Sequence, residues 1–520
     1  MTVDVLIVTD LHYAGPGAAP PALAQRKCRF GLELARRAVR DALRFGKPDV
    51  ILLLGDLVED GHAACAAADL AEIHKEISSF GIQTIAIPGN HDAGTAGEIF
   101  WNGPEQQEIN GHVFVPFSDN YDESTDAPIR PASAMKNLLA AKGSGKPVIV
   151  LQHAVVLPEL HHNYPYNFLE SEKLAEAYSE SGVCLSLSGH YHAGLDPVVH
   201  GVTYLTCPSI CEDPFRYTRL KMENGAIASR EVVSLSLKEF PDLFDAHIHT
   251  QFAHCAQDIT TAGALERLEL FGLHNAGLME HADHLYVPRT GFWGRKDTDN
   301  PVALRQAIAD GHCRYPAFRQ QVCPLHSDHI FIGLEAEPAI DGRGLALFEE
   351  DRAGIDYLLG AIHNLDEKFG VQMSVQETDR QFMARTRQLV ESGINILAHP
   401  FRYFPRLQKR TAPPDLYRPV ADLLAAGGVA AEINFHQNVN DPEFFTICIE
   451  RGVKIALGTD SHCLIDVADL RPHVDLLRQL GVIGRLEEVL WRPPARHTRH
   501  DHQNDDLNQY PHPSRANPPV

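Results

Sequence analysis

The chain of 520 residues has ten cysteines but no CxxC pair, and Cys207 and Cys211 are the two that lie closest together. That spacing argues against a dense disulfide framework and fits reduced thiols. No apolar stretch reaches the roughly 20 residues that a membrane-spanning helix needs. No basic leader followed by an apolar stretch and a small-residue cleavage site precedes "VDVLIVTDLHY". These absences lead to the expectation of a cytoplasmic protein. Positive charge is also scarce, with 46 Lys and Arg against 68 Asp and Glu, a formal net charge of −22. A large nucleic-acid footprint needs clustered basic residues, so that class of partner is disfavoured. A small anionic substrate is not, because bound cations can reverse the local sign of a site. What the sequence has in excess is histidine, 29 in all.

Length alone favours two domains. In the first half, short apolar runs alternate with stretches of helical spacing. "VDVLIVTD" (3–10), "DVILLLGD" (49–56), "TIAIPGN" (84–90), "PVIVLQH" (147–153) and "VCLSLSGH" (183–190) read as buried strands. Helices are expected over 27–43 and 63–80, and closing strands in "VTYLTCPSI" and "AIASREVVSLSL". From "LFDAHIHT" a second β/α alternation runs to about residue 492 through "NAGLMEHA", "IFIGLEAE", "INILAHP", "VAAEINF" and "KIALGTDSH". Regular alternation of that length favours a barrel-like fold. The expected domains are 1–238 and 242–492. The stretch 493–520, rich in Pro, His, Asn and Asp, is expected to be a disordered tail. No internal repeat is evident.

Five pieces of the first half carry metal-ligand types at the ends of apolar runs: "TDLH" (Asp10, His12), "LGD" (Asp56), "PGNHD" (Asn90, His91, Asp92), "LQH" (His153) and "SGHYH" (His190, His192). Strand alternation is expected to send Asp10 and His12 to one face. Taken in order, the set resembles the calcineurin-like metallophosphoesterase signature, and among those proteins the small cyclic-nucleotide type. The resemblance implies a four-layer αββα sandwich over the first domain. It also implies a binuclear site of Mn, Fe or Zn, with Asp10, His12, Asp56 and His192 on one metal. Asp56 would bridge to a second metal held by Asn90, His153 and His190. His91 would stabilise the transition state or protonate the leaving oxygen, with Asp92 orienting its ring. The aromatic segment after His153, "AVVLPELHHNYPYNFLES", reads either as a wall over the site or as a packed surface loop.

A second series opens with "DAHIHTQFAH" (His247, His249, His254). It continues through "MEHADH" (Glu280, His281), "GLEAE" (Glu335), "GAIH" (His363), "LAHP" (His399) and "GTDSH" (Asp460, His462). This series is similar to the PHP (polymerase and histidinol phosphatase) family, and nearest to its histidinol-phosphatase branch. The similarity implies a distorted (β/α)7 barrel with two or three divalent metals, again Mn, Fe or Zn. Their ligands would be His247, His249, His254, His281, Glu335, His363, His399, Asp460 and His462, with Glu335 bridging. Glu280 would hold His281 from behind, while Asp258 and His284 stay open as ligands or neighbours. Arg289, Arg295 and Arg402 are candidates to grip a phosphate, with a solvated surface arginine as the alternative for each.

Both resemblances imply a metal-dependent phosphoric ester hydrolase acting on a small phosphorylated substrate. One expectation is a phosphodiesterase site followed by a phosphomonoesterase site, with the two acting in sequence. A second is two independent activities, a histidinol-phosphate-type phosphatase beside a general phosphodiesterase. A third makes one site a regulatory nucleotide-binding site.

Overall fold

Strands form where the apolar runs predict them, and each stops at or just before the polar residues of its motif. The computed structural model describes residues 1–99, 101, 105–122 and 124–493. It divides into two units, Met1–Ser236 and Leu237 onward. Most of the stretch expected to be a tail, from 494 on, lies outside the described residues.

The first unit contains two larger sheets. In one, strand Thr2–Val8 lies between Val50–Leu54, which runs parallel to it, and Arg216–Glu223, which runs antiparallel; Gln83–Ile87 and Ala226–Ser234 form the edges. The other has six strands, and its centre is a parallel run of His112–Pro116, Val148–Leu151, Val183–Ser188 and Val202–Thr206. Val5, Ile7, Leu52 and Leu54 of the first sheet share one buried cluster with Phe114, Ile149, Leu151 and Leu187 of the second. The strands are therefore apolar on both faces, as strands buried between layers must be. Each Val, Leu or Ile removed from water there contributes about 1.5–3 kcal/mol. Helix Gly31–Leu43 buries Leu34, Ala35, Ala38 and Val39 on one side, the spacing of an amphipathic helix. The second sheet buries Val113, Val150 and Tyr204 against Leu138 and Leu174 of two further helices. The sequence signalled neither Arg216–Glu223 nor His112–Pro116 as a strand.

The second unit holds a closed barrel of seven parallel strands: Phe244–His249, Asn275–His281, Ile330–Ala336, Tyr357–Gly360, Ile396–Leu397, Ala430–Asn434 and Ile455–Gly458. Several helices between strands start at side-chain caps. Thr260, Ser374 and Asp441 each accept a backbone N–H of the first helical turn. One end of the barrel interior is filled by Phe244, Met279, Tyr357 and Leu359 among alanines. The ring of Tyr357 fits only because Gly277 and Gly333 face it, where a Cβ would collide. The opposite end, at the C-terminal ends of the strands, carries the polar residues. No helix among the described residues is long and apolar enough to cross a membrane.

Candidate metal centres

In the first unit the chemistry collects where strands stop. Asp10, Asp56, His153 and His190 each stand two residues beyond a strand ending at Val8, Leu54, Leu151 or Ser188. Asn90 stands three residues beyond the strand that ends at Ile87. Asp10, His12, Asp56 and His190 all have positive φ, between 46° and 65°. Such backbone costs about 1–3 kcal/mol per residue and persists where the surroundings over-determine it. Asp10 and His12 thus meet through a left-handed turn beyond the strand. The expectation that strand alternation pairs them is corrected.

The side chains converge closely. His153 Nε2 lies 3.1 Å from Asp56 Oδ2 and 3.1 Å from His190 Nδ1. His12 Nε2 lies 3.5 Å from Asp56 Oδ2 and 3.3 Å from His192 Nε2, and His192 Nε2 is 3.4 Å from Asp10 Oδ1. Asp56, His153 and His190 form one group with the spacing to hold a metal ion, and His12, Asp56 and His91 form another. Carbonyl and carboxylate partners fix the rings from behind. His153 Nδ1 donates to Leu54 O at 2.7 Å, while His12 Nδ1 meets Glu59 at 2.8 Å and His192 Nδ1 meets Glu212 at 2.8 Å. Gly89 is required here, because a Cβ would run into the Asp56 carboxylate.

His91 donates from Nδ1 to the carbonyl of Glu59, 2.6 Å away. Asp92 does not orient that ring, which corrects its expected role. Its carboxylate is fully buried and accepts the backbone N–H groups of Leu57, Val58 and Gly89 at 2.8–3.1 Å. Three N–H donors from neighbouring turns outcompete one imidazole, so Asp92 shapes the loops that carry Asp56 and Asn90. The aromatic segment after His153 does reach the site. Tyr164 OH lies 3.5 Å from Asn90 Nδ2, and the Tyr166 ring is 5.3 Å from that of His190.

The second cluster surrounds Glu335. Its Oε2 lies 2.8 Å from His281 Nδ1 and 3.4 Å from His247 Nε2, while Oε1 lies 3.0 Å from His399 Nε2 and 3.4 Å from His363 Nε2. Asp460 Oδ1 lies 3.1 Å from His249 Nε2 and 3.5 Å from His247 Nε2. His462 donates from Nδ1 to Asp460 O and groups with His249 and His281. His254 departs from the expected ligand set. Its Nε2 contacts Val287 O at 3.0 Å and its Nδ1 contacts Arg314 at 3.0 Å, so neither nitrogen is left for a metal. His284 takes the backbone N–H of His254 on Nδ1 and forms a group with Cys255 and His281. Asp258 accepts the backbone N–H of Leu464 and acts as a loop tie. Glu280 accepts Thr250 Oγ1 at 2.7 Å and lies 3.4 Å from His249 Nδ1, so it backs His249 and not the ring of His281.

The three candidate arginines differ. Arg402 is buried with Nη1 2.6 Å from Asp460 Oδ2 and lines a cavity of about 600 Å³. Arg295 lines the same cavity but is paired with Asp297 through two 3.0 Å contacts. Arg289 is exposed and outside that lining. Arg406, Lys368, Trp293 and Glu337 complete much of the wall; of these only Glu337 lay in a motif, "GLEAE", where Glu335 alone was singled out. Glu432, which takes His247 Nδ1 at 2.8 Å, was also missed, although it sits in the strand "VAAEINF".

The donor sets fit divalent cations. In the first cluster Asn90 Oδ1 and His190 Nε2 are buried without a hydrogen-bond partner, and in the second so is Glu335 Oε2, whose close approaches to His281 and His247 lack hydrogen-bond geometry. Unpaired buried polar atoms cost too much to be common, so their concentration here calls for a partner. Burial works against charge, yet the carboxylates stay ionised. Although desolvation opposes it, His192 and His153 hold Asp10 down to about 2. Against the same penalty, Asp56 pushes His153 up to about 10. Glu335 and Asp460 lie well below the usual carboxylate range for the same reason. Protons on the histidines thus balance buried carboxylates where cations would.

A mixed α/β unit with imidazole and carboxylate donors at its strand ends describes a class of metal-dependent hydrolase. Residues 3–194 match the model of the calcineurin-like phosphoesterase family, so the first unit carries a calcineurin-like metallophosphoesterase domain and the chain is a phosphoric ester hydrolase. A probable cyclic nucleotide phosphodiesterase of Synechococcus is 26% identical over 216 residues, which is 40% of this chain and 81% of that protein. A dimetal phosphatase from Danio rerio superposes with a TM-score of 0.36 at 14% identity, over 45% of this chain and 98% of its own. Purple acid phosphatase from yellow lupin gives 0.33 at 11% identity, over 45% of this chain and 54% of its own.

Proposed function

We propose that the chain is a bifunctional phosphoesterase: a phosphodiesterase site in an αββα sandwich, followed by a phosphomonoesterase site in a PHP-type (β/α)7 barrel. The observation that carries this reading is the pair of buried clusters, each with ring nitrogens and carboxylate oxygens crowded together and polar atoms left without partners. The likeness to a probable cyclic nucleotide phosphodiesterase favours a cyclic or linear nucleotide diester at the first site. The second site would then take the monoester so formed.

In the first site Asp10, His12, Asp56 and His192 would hold one cation, and Asp56, Asn90, His153 and His190 the other. In the second, His247, His249, Glu335, Asp460 and the histidines around them would do the same. Divalent cations there would supply Lewis-acid charge to the phosphoryl oxygens, and mixed N and O donors suit Mn, Fe or Zn. The protein's own part is orientation. Glu59, Glu212 and Leu54 O fix the imidazoles of the first cluster, and Glu432, Glu337 and Glu280 back those of the second. Such backing pins each tautomer and presents the opposite nitrogen to the site.

His91→Ala and His247→Ala variants, assayed separately on a cyclic nucleotide, test the proposal. The first should lower diester opening by about a hundredfold. The second should leave opening intact and let the nucleoside monophosphate accumulate without release of phosphate. If no monoester accumulates when only the second site is disabled, the two sites do not act in sequence.

A further inference from the structure

No metal-binding motif contains Arg26. It lies in the irregular segment between the first strand and helix Gly31–Leu43, and its side chain is only 13% exposed. It reaches the face of the first cluster that carries His12 and His91. Nη1 lies 3.3 Å from Glu59 Oε2, 3.3 Å from His91 Nε2 and 3.5 Å from His12 Nδ1. One guanidinium nitrogen is thus shared among three long contacts, while Nε is buried without a partner. A purely structural arginine of that burial would be expected to satisfy more of its five N–H groups.

The tautomer of His91 sharpens this. Its Nδ1 donates to the carbonyl of Glu59, which leaves Nε2 to accept from Arg26. Arg26 is therefore the permanently charged group on this side of the cluster. Glu59 faces that charge through a single oxygen, Oε2, which it shares with His12 Nδ1 at 2.8 Å, and Arg26 Nε is left without a partner. A guanidinium next to a site built for divalent cations is electrostatically costly until an anion arrives between them. Its planar fork suits phosphoryl oxygens.

We propose that Arg26 binds a non-bridging oxygen of the phosphoryl group at the first site and supplies fixed positive charge to it as the ester bond breaks. This rests on the reading of the first unit as a phosphodiesterase. It assigns the stabilising role to Arg26 and leaves His91 Nε2 as an acceptor in the resting site.

The test uses the full chain loaded with Mn and carrying His247→Ala, so that the second site is silent. Bis(p-nitrophenyl) phosphate is the substrate and orthophosphate the binding probe. Arg26→Ala should lower kcat/KM about a hundredfold, weaken orthophosphate binding in calorimetry at least tenfold, and leave the bound metal unchanged by emission spectrometry. Added guanidinium should restore part of the lost rate, which a merely structural role would not permit. Arg26→Lys, which keeps the charge without the fork, should fall between the parent and the alanine variant. The proposal is overturned if Arg26→Ala stays within about threefold of its parent in both readouts, a margin of about 0.7 kcal/mol. It is also overturned if the loss comes with loss of metal and guanidinium restores nothing. Should the parent cleave no diester at all, the phosphodiesterase reading fails. Orthophosphate binding alone then decides on Arg26: equal affinity in the parent and Arg26→Ala overturns the role, and a tenfold difference supports it.

Discussion

Glu432 shows how a residue without a recognisable motif can organise a site. Its Oε1 takes His247 Nδ1 at 2.8 Å, and its Oε2 accepts the backbone N–H of His399 at 2.5 Å and the Asn434 amide at 3.1 Å. One buried carboxylate therefore ties the first strand of the barrel to the loop after the fifth. Gly458 makes room for it, since a Cβ there would occupy the carboxylate's position. Glu432→Gln keeps the volume but puts an N–H₂ where an acceptor is needed, so the tautomer of His247 is no longer pinned. We expect metal affinity at the second cluster to fall about 10–100-fold, read as metal retained after dialysis against graded chelator. Retention equal to the parent would mean that Glu432 is only a packing residue. The same logic explains why Glu59, Glu212 and Arg26 were not legible in the sequence. Each acts on a histidine far from it along the chain, and nothing in local spacing records which carboxylate faces which ring. His254 illustrates the converse: its place in "DAHIHTQFAH" suggested a ligand, but the chain turns its ring to Val287 and Arg314.

At the scale of elements, the strand ends were the most readable feature. An apolar run ending in Asp, Asn or His marks a buried strand that delivers a polar residue to the edge of the sheet, and both units are built this way. What the runs could not reveal was backbone shape at those ends. The left-handed turn at Asp10 and His12 is one case. The first barrel strand is another. Asp245 pairs with Ala276 but Ile248 with Leu278, so one extra residue bulges out of the ladder at Ala246 and His247. A bulge re-aims side chains, here His247 toward Glu335 and Asp460. It also diverts the carbonyl of Ala246, which accepts the hydroxyl of buried Tyr357 at 2.7 Å. Tyr357→Phe removes that donor and little else. The expected cost is about 1–3 kcal/mol, seen as a lower urea midpoint at unchanged slope. An unchanged midpoint would show that the bulged carbonyl finds another partner.

For the whole chain, the two clusters make stability depend on pH and on cations together. Without cations, several buried histidines hold protons. Against the penalty of burial, Asp56 raises His153 to about 10, and Asp10 and Glu212 raise His192 to about 9. Asp460 and Glu280 raise His249 to about 9, and Glu335 raises His363 to about 9. A histidine raised in the fold contributes stability that is complete below its unfolded value of about 6.5 and is lost as pH climbs through 9–10. Other rings shift the opposite way. Burial, then His153, lowers His190 to about 3, and burial, then His249, lowers His462 to about 2. The unfolded chain takes up protons at these two positions first, so stability is also lost as pH falls below 6.5. The chain stripped by chelator should therefore be most stable near pH 6.5 and weaken steadily toward pH 10. Bound cations change the alkaline side, because only a deprotonated imidazole can coordinate a metal. With Mn or Zn present, the raised histidines give up their protons to coordination, and the alkaline loss disappears. The gap in unfolding midpoint between loaded and stripped protein should widen from pH 6.5 to pH 10. Urea titrations with and without chelator at pH 6.5, 8 and 10 measure it. A gap that stays constant or narrows would mean that these rings carry no protons for cations to displace.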